Sequence, residues 1–199
     1  MCGIAGIYGQ DSELGDTVQA MTAALHHRGP DDEGFHFGNN IGLGMRRLAI
    51  IDLKTGHQPI YNKEKSIVVI LNGEIYNFRD LRESLEKKHN FYTNTDTEVI
   101  VHAYEEFGEN CLQKLDGMFA FALWDMGKKK LFIARDRLGV KPLYYCIKSD
   151  KLLFASEIKS ILQDLDIQRK LNYDALCQFV TYAYTIDGQT MFNGINELL

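Results

Sequence analysis

The sequence predicts an α+β domain built on antiparallel sheets. Strand-like segments occur in pairs joined by short turns: GMFAFALWD and KLFIARD flank MGKK, and PLYYCIK and KLLFASE meet across SDK. Such pairs are typical of β-hairpins. The helical segments are grouped between strands, which favours an antiparallel α+β architecture over repeating βαβ units. A chain of 199 residues, 45% hydrophobic and 25% charged, is long enough for one sizeable core.

The N-terminal half is predicted to contain buried strands and one early helix. GIAGIY, residues 3–8, is a short apolar strand, and a helix from about Asp16 places Val18, Met21 and Leu25 on one face. Strand-like segments follow at GFHF, IGLGM, RLAIID and SIVVILNG. The last is rich in β-branched residues, so we expect it in the centre of a sheet.

Capping signals indicate the later helices. Asn77 precedes FRDLRESLEKK and is predicted to cap it. Thr95 and Glu98 match a capping box before TEVIVHAYEEF, a helix that Gly108 would end. Two shorter helices are predicted after KLLFASE.

Composition excludes several classes of function. The net charge of −5 arises from 27 acidic and 22 basic residues. These are well mixed, with Lys128–Lys130 the only basic triplet, so nucleic-acid binding is not expected. No apolar run reaches the roughly 18 residues of a membrane span, and the start lacks the features of a signal peptide. The prediction is a cytoplasmic protein that binds neither nucleic acid nor membrane.

The four cysteines lie far apart, with no C-x-x-C and no histidine spacing typical of metal ligands. We therefore expect neither a disulfide framework nor a metal site.

Cys2 stands directly behind the first residue. Removal of Met1 would place its thiol beside its own α-amino group, whose pKa of about 7.7–8.0 lies far below the roughly 10.4 of lysine. A terminal amine beside a thiol is a recognised way to activate a nucleophile. Two alternatives remain. Cys2 is a small buried hydrophobe, or His27 in HHRGPDDEG is its base, in which case retained Met1 would be harmless.

A thiol that takes up an acyl group also needs N–H donors where negative charge develops. LNGEIYN offers the side-chain amide of Asn72 and the backbone N–H of Gly73, which lacks a Cβ. The alternative is an ordinary Asn-Gly hairpin turn. Arg47 could bind a carboxylate and Asp96 an ammonium group, which together would specify an amino acid. The alternatives are a surface arginine and a helix cap.

Eight motifs in order carry a family resemblance: MCGIAG, HRGPDDEG, RLAIID, NGEIYN, TDTEVI, GMFAFALWD, ARDRLGVKPLYY and FASEIK. From Cys2 to about Leu198, the chain resembles the class II glutamine amidotransferase domain of glutamine-hydrolysing asparagine synthetases. HRGPD, RLAIID and NGEIYN favour this branch over the glucosamine-phosphate synthase, amidophosphoribosyltransferase and glutamate synthase branches. The resemblance implies an N-terminal nucleophile hydrolase fold, a four-layer αββα sandwich of two antiparallel sheets.

The resemblance also implies a reaction, the hydrolysis of L-glutamine to L-glutamate and ammonia. It makes Cys2 the nucleophile and gives Asn72 and Gly73 the oxyanion hole. The other implied residues bind glutamine: Arg47 its α-carboxylate, Asp96 and Glu74 its α-ammonium, and the backbone of Leu48, Ala49, Ile50 and Ile51 the rest of the pocket.

The family carries a second domain, which adenylates aspartate with ATP and receives the ammonia. Its Ser-Gly-Gly phosphate loop does not occur here, so we expect an amidotransferase domain at 2–185 and, at 186–199, a lead-in to an absent synthetase domain. ATP and Mg are expected only there, and no cofactor in this chain. A homodimer is left open.

Three other points stay open at this stage. The ammonia could serve another acceptor, as in asparagine-synthetase-like enzymes, or the chain could be a non-catalytic glutamine-binding module. Arg135, Asp136 and Arg137 are interpreted as a structural ion-pair cluster, with contact to the synthetase domain as the alternative.

Overall fold

The computed structural model describes all 199 residues and contains two antiparallel sheets. The first is formed by β1 (Gly3–Tyr8), β2 (Asp32–Gly38), β3 (Ile41–Arg47), β8 (Tyr144–Lys148), β9 (Lys151–Ala155) and β10 (Ile195–Glu197). The second is formed by β4 (Ile60–Tyr61), β5 (Ile67–Ile75), β6 (Gly117–Asp125) and β7 (Lys130–Arg135). The strand orders are β10-β8-β9-β1-β3-β2 and β4-β5-β6-β7. Both predicted hairpins, β6–β7 and β8–β9, are present.

Five α-helices complete the fold: α1 (Leu14–Ala23), α2 (Phe78–Leu85), α3 (Glu98–Phe107), α4 (Ile158–Ile161) and α5 (Tyr173–Tyr182). Short 3₁₀ helices span His26–Arg28 and Gly108–Gln113. None of the helices is both long and apolar enough to cross a membrane.

Three separate apolar layers show that the molecule has four structural layers. One lies between the sheets, where Ile4 and Leu43 of the first sheet share a cluster with Val68 and Ile70 of the second. Another joins the second sheet to α2 and α3, and the third joins the first sheet to α1 and α4. Strand β5 is buried on both faces, which explains its unbroken apolar run. The predicted αββα sandwich is confirmed.

One sequence prediction about strands is wrong. RLAIID is not a strand, because β3 ends at Arg47 and the next four residues form an irregular loop. Side chains outside the loop bind its backbone: Asp31 accepts the Ala49 N–H at 2.9 Å, and Arg47 donates to the Ile51 carbonyl at 3.0 Å. The Asn-Gly pair is not a hairpin turn, the alternative that the sequence left open. It lies inside β5, opposite Ala120 and Phe119 of β6.

The capping predictions also need correction. Asn77 occupies the N-cap position of α2 without bonding its helix, since its side chain binds Lys114 O and Asp116 N instead. Glu98 is the first residue of α3, and its carboxylate accepts N–H groups from Tyr92 and Thr93. The side chains of Asn77 and Glu98 thus connect α2 and α3 to neighbouring segments and do not cap these helices.

The Arg135–Arg137 segment is structural, although mainly through backbone contacts. Asp136 is buried and accepts four backbone N–H groups, those of Phe119, Leu138, Val140 and Lys141. Arg135 pairs with Glu197 at 2.7 Å and donates to three carbonyls. Burial raises the pKa of Asp136, but the four N–H donors outweigh this effect and hold it below the ordinary value.

Replacing Asp136 with Ala should therefore destabilise the domain by about 2–4 kcal/mol, because buried N–H groups lose their acceptor. Urea unfolding measures the change, with Glu83→Ala, at an exposed carboxylate, as the control. The deficit should shrink as the pH falls below the ordinary aspartate pKa of 3.8, because protonation also weakens the wild-type acceptor. A deficit equal to that of the control would contradict this role.

Candidate active site

One pocket gathers the sequence-predicted residues from four separate segments. Nine of the ten line it, namely Cys2, Arg47, Leu48, Ile50, Ile51, Asn72, Gly73, Glu74 and Asp96. The exception is Ala49, whose N–H is bonded to Asp31. The pocket lies where the start of β1, the end of β3, the end of β5 and the segment before α3 come together.

Strand pairing fixes Cys2 in place. The strand that follows it, β1, is hydrogen-bonded to β3 on one side and β9 on the other. Arg28 donates from Nε to the Cys2 carbonyl at 2.9 Å. The half-buried sulfur accepts the Leu48 N–H at 3.4 Å and lies 3.7 Å from the Leu48 carbonyl oxygen. The predicted nucleophile is therefore held against the loop that lines the pocket.

Burial raises the pKa of the Cys2 thiol. The Leu48 N–H and the positive charges of the chain's terminal amine and Arg47 oppose this shift but do not cancel it. The thiolate is thus disfavoured, and a base is needed to remove the thiol proton.

Asn72 and Gly73 lie in the second half of β5. Asn72 is completely buried, with Nδ2 3.5 Å from the Ser156 hydroxyl oxygen and Oδ1 without a hydrogen-bond partner. Gly73 has a φ of +155°, and a Cβ there would lie 2.2 Å from the Met118 carbonyl oxygen. Only glycine fits this close approach of two strands.

Charged groups of opposite sign line the pocket without neutralising one another. Arg47 is buried and uses only Nη2, which donates to the carbonyls of Ile51 and Asp52, so that Nε and Nη1 have no protein partner. Asp96 accepts the Ile75 N–H at 2.9 Å. Arg47, Glu74 and Asp96 form no ion pair with any group, although all three line the same pocket.

The environment of Asp96 resists ionisation. Burial raises its pKa, and the nearby charge of Glu74 adds to the effect, while bonds from Ile75 and Thr95 act against it. A bound ammonium group would relieve this cost, because it would supply the missing positive charge.

Several contributing residues escaped the sequence analysis. Arg28, in the HHRGPDDEG segment, binds the Cys2 carbonyl and pairs with Glu157 at 2.8 Å. Gln58 bonds both backbone groups of Leu71, the residue before Asn72. No local pattern marks Gln58 in the sequence.

Two further residues qualify the base assignment. His27, the alternative base, does not line the pocket. It is half-exposed, and its imidazole contacts Glu157 at 2.9 Å. Met1, which is present in the structure, does line the pocket, and its sulfur lies 3.1 Å from the Lys141 ammonium. With Met1 attached, the nitrogen of Cys2 is an amide and cannot act as a base.

A cluster of residue types that can bind metals lies outside the pocket. Ligand atoms of His89, His102 and Glu105 lie within 4.8 Å of one another. None of the three lines the pocket, and the Glu105 carboxylate already lies 3.2 Å from the His89 imidazole and is hydrogen-bonded to the His102 imidazole at 2.8 Å. The site around Cys2 is built from a thiol, an amide and unpaired charges.

Two solved structures share this fold. The structure described as the allosteric regulatory enzyme of purine biosynthesis matches 81% of this chain and 43% of its own, with a TM-score of 0.70 at 22% identity. Glutamine phosphoribosylpyrophosphate amidotransferase from B. subtilis matches 99% of this chain and 49% of its own, with a TM-score of 0.67 at 20% identity. At these identities the likeness concerns the fold.

Sequence relatives are closer. Asparagine synthetase [glutamine-hydrolyzing] 2 of Bacillus subtilis is 44% identical over 87% of this chain and 24% of its own length. Asparagine synthetase [glutamine-hydrolyzing] 3 of the same organism is 40% identical over 100% and 33%. The Arabidopsis thaliana enzyme numbered 3 is 44% identical over 83% and 29%.

The chain thus spans about a quarter to a third of the length of these curated relatives. The family model for the glutamine amidotransferase domain matches residues 1–199. The chain belongs to the glutamine amidotransferase domain family.

Proposed function

We propose that this chain hydrolyses L-glutamine to L-glutamate and ammonia with Cys2 as the nucleophile. The observation that carries the proposal is the charge pattern of the pocket. A buried, unpaired Arg47 and the unpaired carboxylates of Asp96 and Glu74 surround a space beside the Cys2 sulfur. An α-amino acid supplies the complementary pair of charges.

The binding roles follow from the free atoms. The α-carboxylate of glutamine pairs with Nε and Nη1 of Arg47, because Nη2 already holds the loop. The α-ammonium pairs with Asp96 and Glu74. The backbone of residues 48–51 forms the remaining wall, with Leu48 beside the sulfur.

The chemistry proceeds in two halves. The Cys2 sulfur attacks the side-chain amide carbon, and its proton passes to the α-amine of Cys2. The resulting oxyanion is stabilised by Asn72 Nδ2 and the Gly73 N–H. The C–N bond then breaks, and the amine returns the proton to the leaving nitrogen, which departs as ammonia. Water hydrolyses the γ-glutamyl thioester to glutamate and restores the thiol.

This mechanism requires the removal of Met1. Processing would expose the amine of Cys2 and clear a side chain that lines the pocket. It would also leave the buried Lys141 ammonium without its contact to the Met1 sulfur. The active form is therefore the chain that begins at Cys2.

We further propose that the ammonia serves ATP-dependent asparagine synthesis from aspartate in a second domain, as the names of the relatives suggest. The proposed boundaries remain 2–185 for the amidotransferase domain and 186–199 for the lead-in. The latter segment contributes β10 to the first sheet, so the lead-in would be anchored to this domain.

Cys2→Ala should reduce ammonia release from glutamine by on the order of 10³-fold or more, because the covalent route is lost. The assay uses protein whose loss of Met1 has been verified by intact mass. Cys177→Ala, at an exposed cysteine of α5, is the matched control and should retain wild-type activity. Equal rates for wild type and Cys2→Ala would refute the nucleophile assignment.

Asp96→Asn should raise the KM for glutamine on the order of 10-fold to 100-fold with little change in kcat, because it removes uniform binding of the ammonium group. Steady-state kinetics measures both constants. A glutamine analogue without the α-amino group should be a poor substrate of the wild type. The variant should discriminate far less between the two substrates.

The exposed Asp80→Asn is the control for this charge removal. If Asp96→Asn still discriminated as strongly as wild type between glutamine and the analogue, the ammonium contact would lie elsewhere.

Alkylation should report the environment of Cys2. In chains that retain Met1, reaction with iodoacetamide should rise with pH around a midpoint above the ordinary thiol pKa of 9.0, because burial raises the pKa. Mass spectrometry separates the N-terminal peptides with and without Met1 and quantifies each. A midpoint below neutral pH in the Met1-containing peptide would contradict this environment.

A further inference from the structure

Ser156 connects the strand of the nucleophile to the strand of the oxyanion hole. It directly follows β9 and is completely buried. Its N–H donates to the Ile4 carbonyl at 2.9 Å, and its hydroxyl accepts the Ile4 N–H at 3.0 Å. The same hydroxyl lies 3.5 Å from the Asn72 side-chain amide in the other sheet. One oxygen atom thus contacts both β1, the strand that follows Cys2, and the side chain of Asn72.

The hydrogen bonds around this hydroxyl do not balance when Nδ2 of Asn72 faces Ser156. In that orientation the serine oxygen receives hydrogens from both Ile4 and Asn72, while its own hydrogen has no acceptor. The buried Oδ1 of Asn72 also has no partner. Two buried groups without hydrogen-bond partners cost about 1–3 kcal/mol each.

Rotating the amide by half a turn gives both the serine hydrogen and Oδ1 a partner, and leaves Nδ2 as the one group without a protein partner. The oxygen and nitrogen ends of an asparagine amide have the same shape, so the hydrogen bonds decide between the two orientations. With Oδ1 towards Ser156, the hydroxyl accepts from Ile4 and donates to Asn72. The Nδ2 group then takes the buried position that has no protein partner, in a residue that lines the pocket, so its hydrogens remain available to a bound ligand.

We propose that Ser156 is a positioning residue that orients Asn72 as an oxyanion donor. Its hydroxyl is held by the Ile4 N–H and donates its hydrogen to Asn72 Oδ1, so that Nδ2 is presented to the reacting carbonyl oxygen. This inference rests on the proposed glutaminase function. It adds a residue that contacts neither glutamine nor the reacting atoms.

Ser156→Ala should lower kcat for glutamine hydrolysis about tenfold or more, within the roughly 10²–10³-fold cost of losing an oxyanion donor altogether. KM should change little. Alkylation of Cys2 by iodoacetamide should keep its wild-type rate, because that displacement forms no oxyanion. If alkylation and hydrolysis fell together, Ser156 would act by placing the Cys2 strand, and the proposal would be overturned.

Two comparisons sharpen the kinetic test. On an Asn72→Ala background, Ser156→Ala should cause no further loss of kcat, since the group that it orients is gone. Ser160→Ala removes an equally buried hydroxyl, which donates to the Met21 carbonyl away from the pocket, and should leave kcat unchanged. A full additional loss in the double variant would refute the proposal.

Wild-type NMR tests the orientation without any activity. The Asn72 side-chain N–H protons should show no strong nuclear Overhauser effect to the Ile4 amide proton or the Ser156 Hβ protons. Strong effects would place Nδ2 against Ser156 and overturn the inference. A wild type without glutaminase activity would instead refute the proposed function, and the orientation would still be decided by this measurement.

Discussion

The insertion of β1 between β3 and β9 is the constraint on which the site depends. A chain terminus normally frays, but here the residues after Cys2 are bonded on both sides, in register with Arg46 and Met45 of β3. Ile4 belongs to the apolar layer between the sheets. The packing of the two sheets therefore fixes the position of the Cys2 sulfur relative to Asn72 and Gly73 in β5.

Charged side chains in the pocket differ from many of those in the rest of the fold in whether they have ion-pair partners. Elsewhere charged side chains have specific partners: Lys151 contacts Asp11 and Asp164, and Glu98 accepts from the N–H and the hydroxyl of Thr93. In the pocket, buried cationic and anionic side chains remain without ion-pair partners. Such an arrangement lowers the free energy of unfolding of the empty protein. A bound zwitterion would raise it again, because it supplies the missing partners. This arrangement is the expected signature of a ligand site.

Local chemistry explains which features the sequence could predict. The hairpins follow from alternating apolar strands and polar turns, and Asn72 with Gly73 stands out because an Asn-Gly pair ends a buried run without a second strand after it. RLAIID failed because its apolar residues look like a strand, whereas distant contacts from Asp31 bend the backbone into a loop. Ser156 could not be found by any local rule, since its partner Asn72 lies 84 residues away.

The side chain of Arg47 connects the proposed carboxylate-binding position to the loop beside the Cys2 sulfur. Nη2 of Arg47 holds the carbonyls of Ile51 and Asp52, while the backbone N–H of Leu48 in the same loop contacts the Cys2 sulfur. A carboxylate that pairs with the remaining nitrogens of Arg47 fixes the guanidinium, and with it the loop that borders the sulfur. Under the proposed function, substrate binding and the position of the loop beside the thiol therefore both depend on Arg47. A misplaced Arg47 would affect both, even though its guanidinium takes no part in the covalent steps.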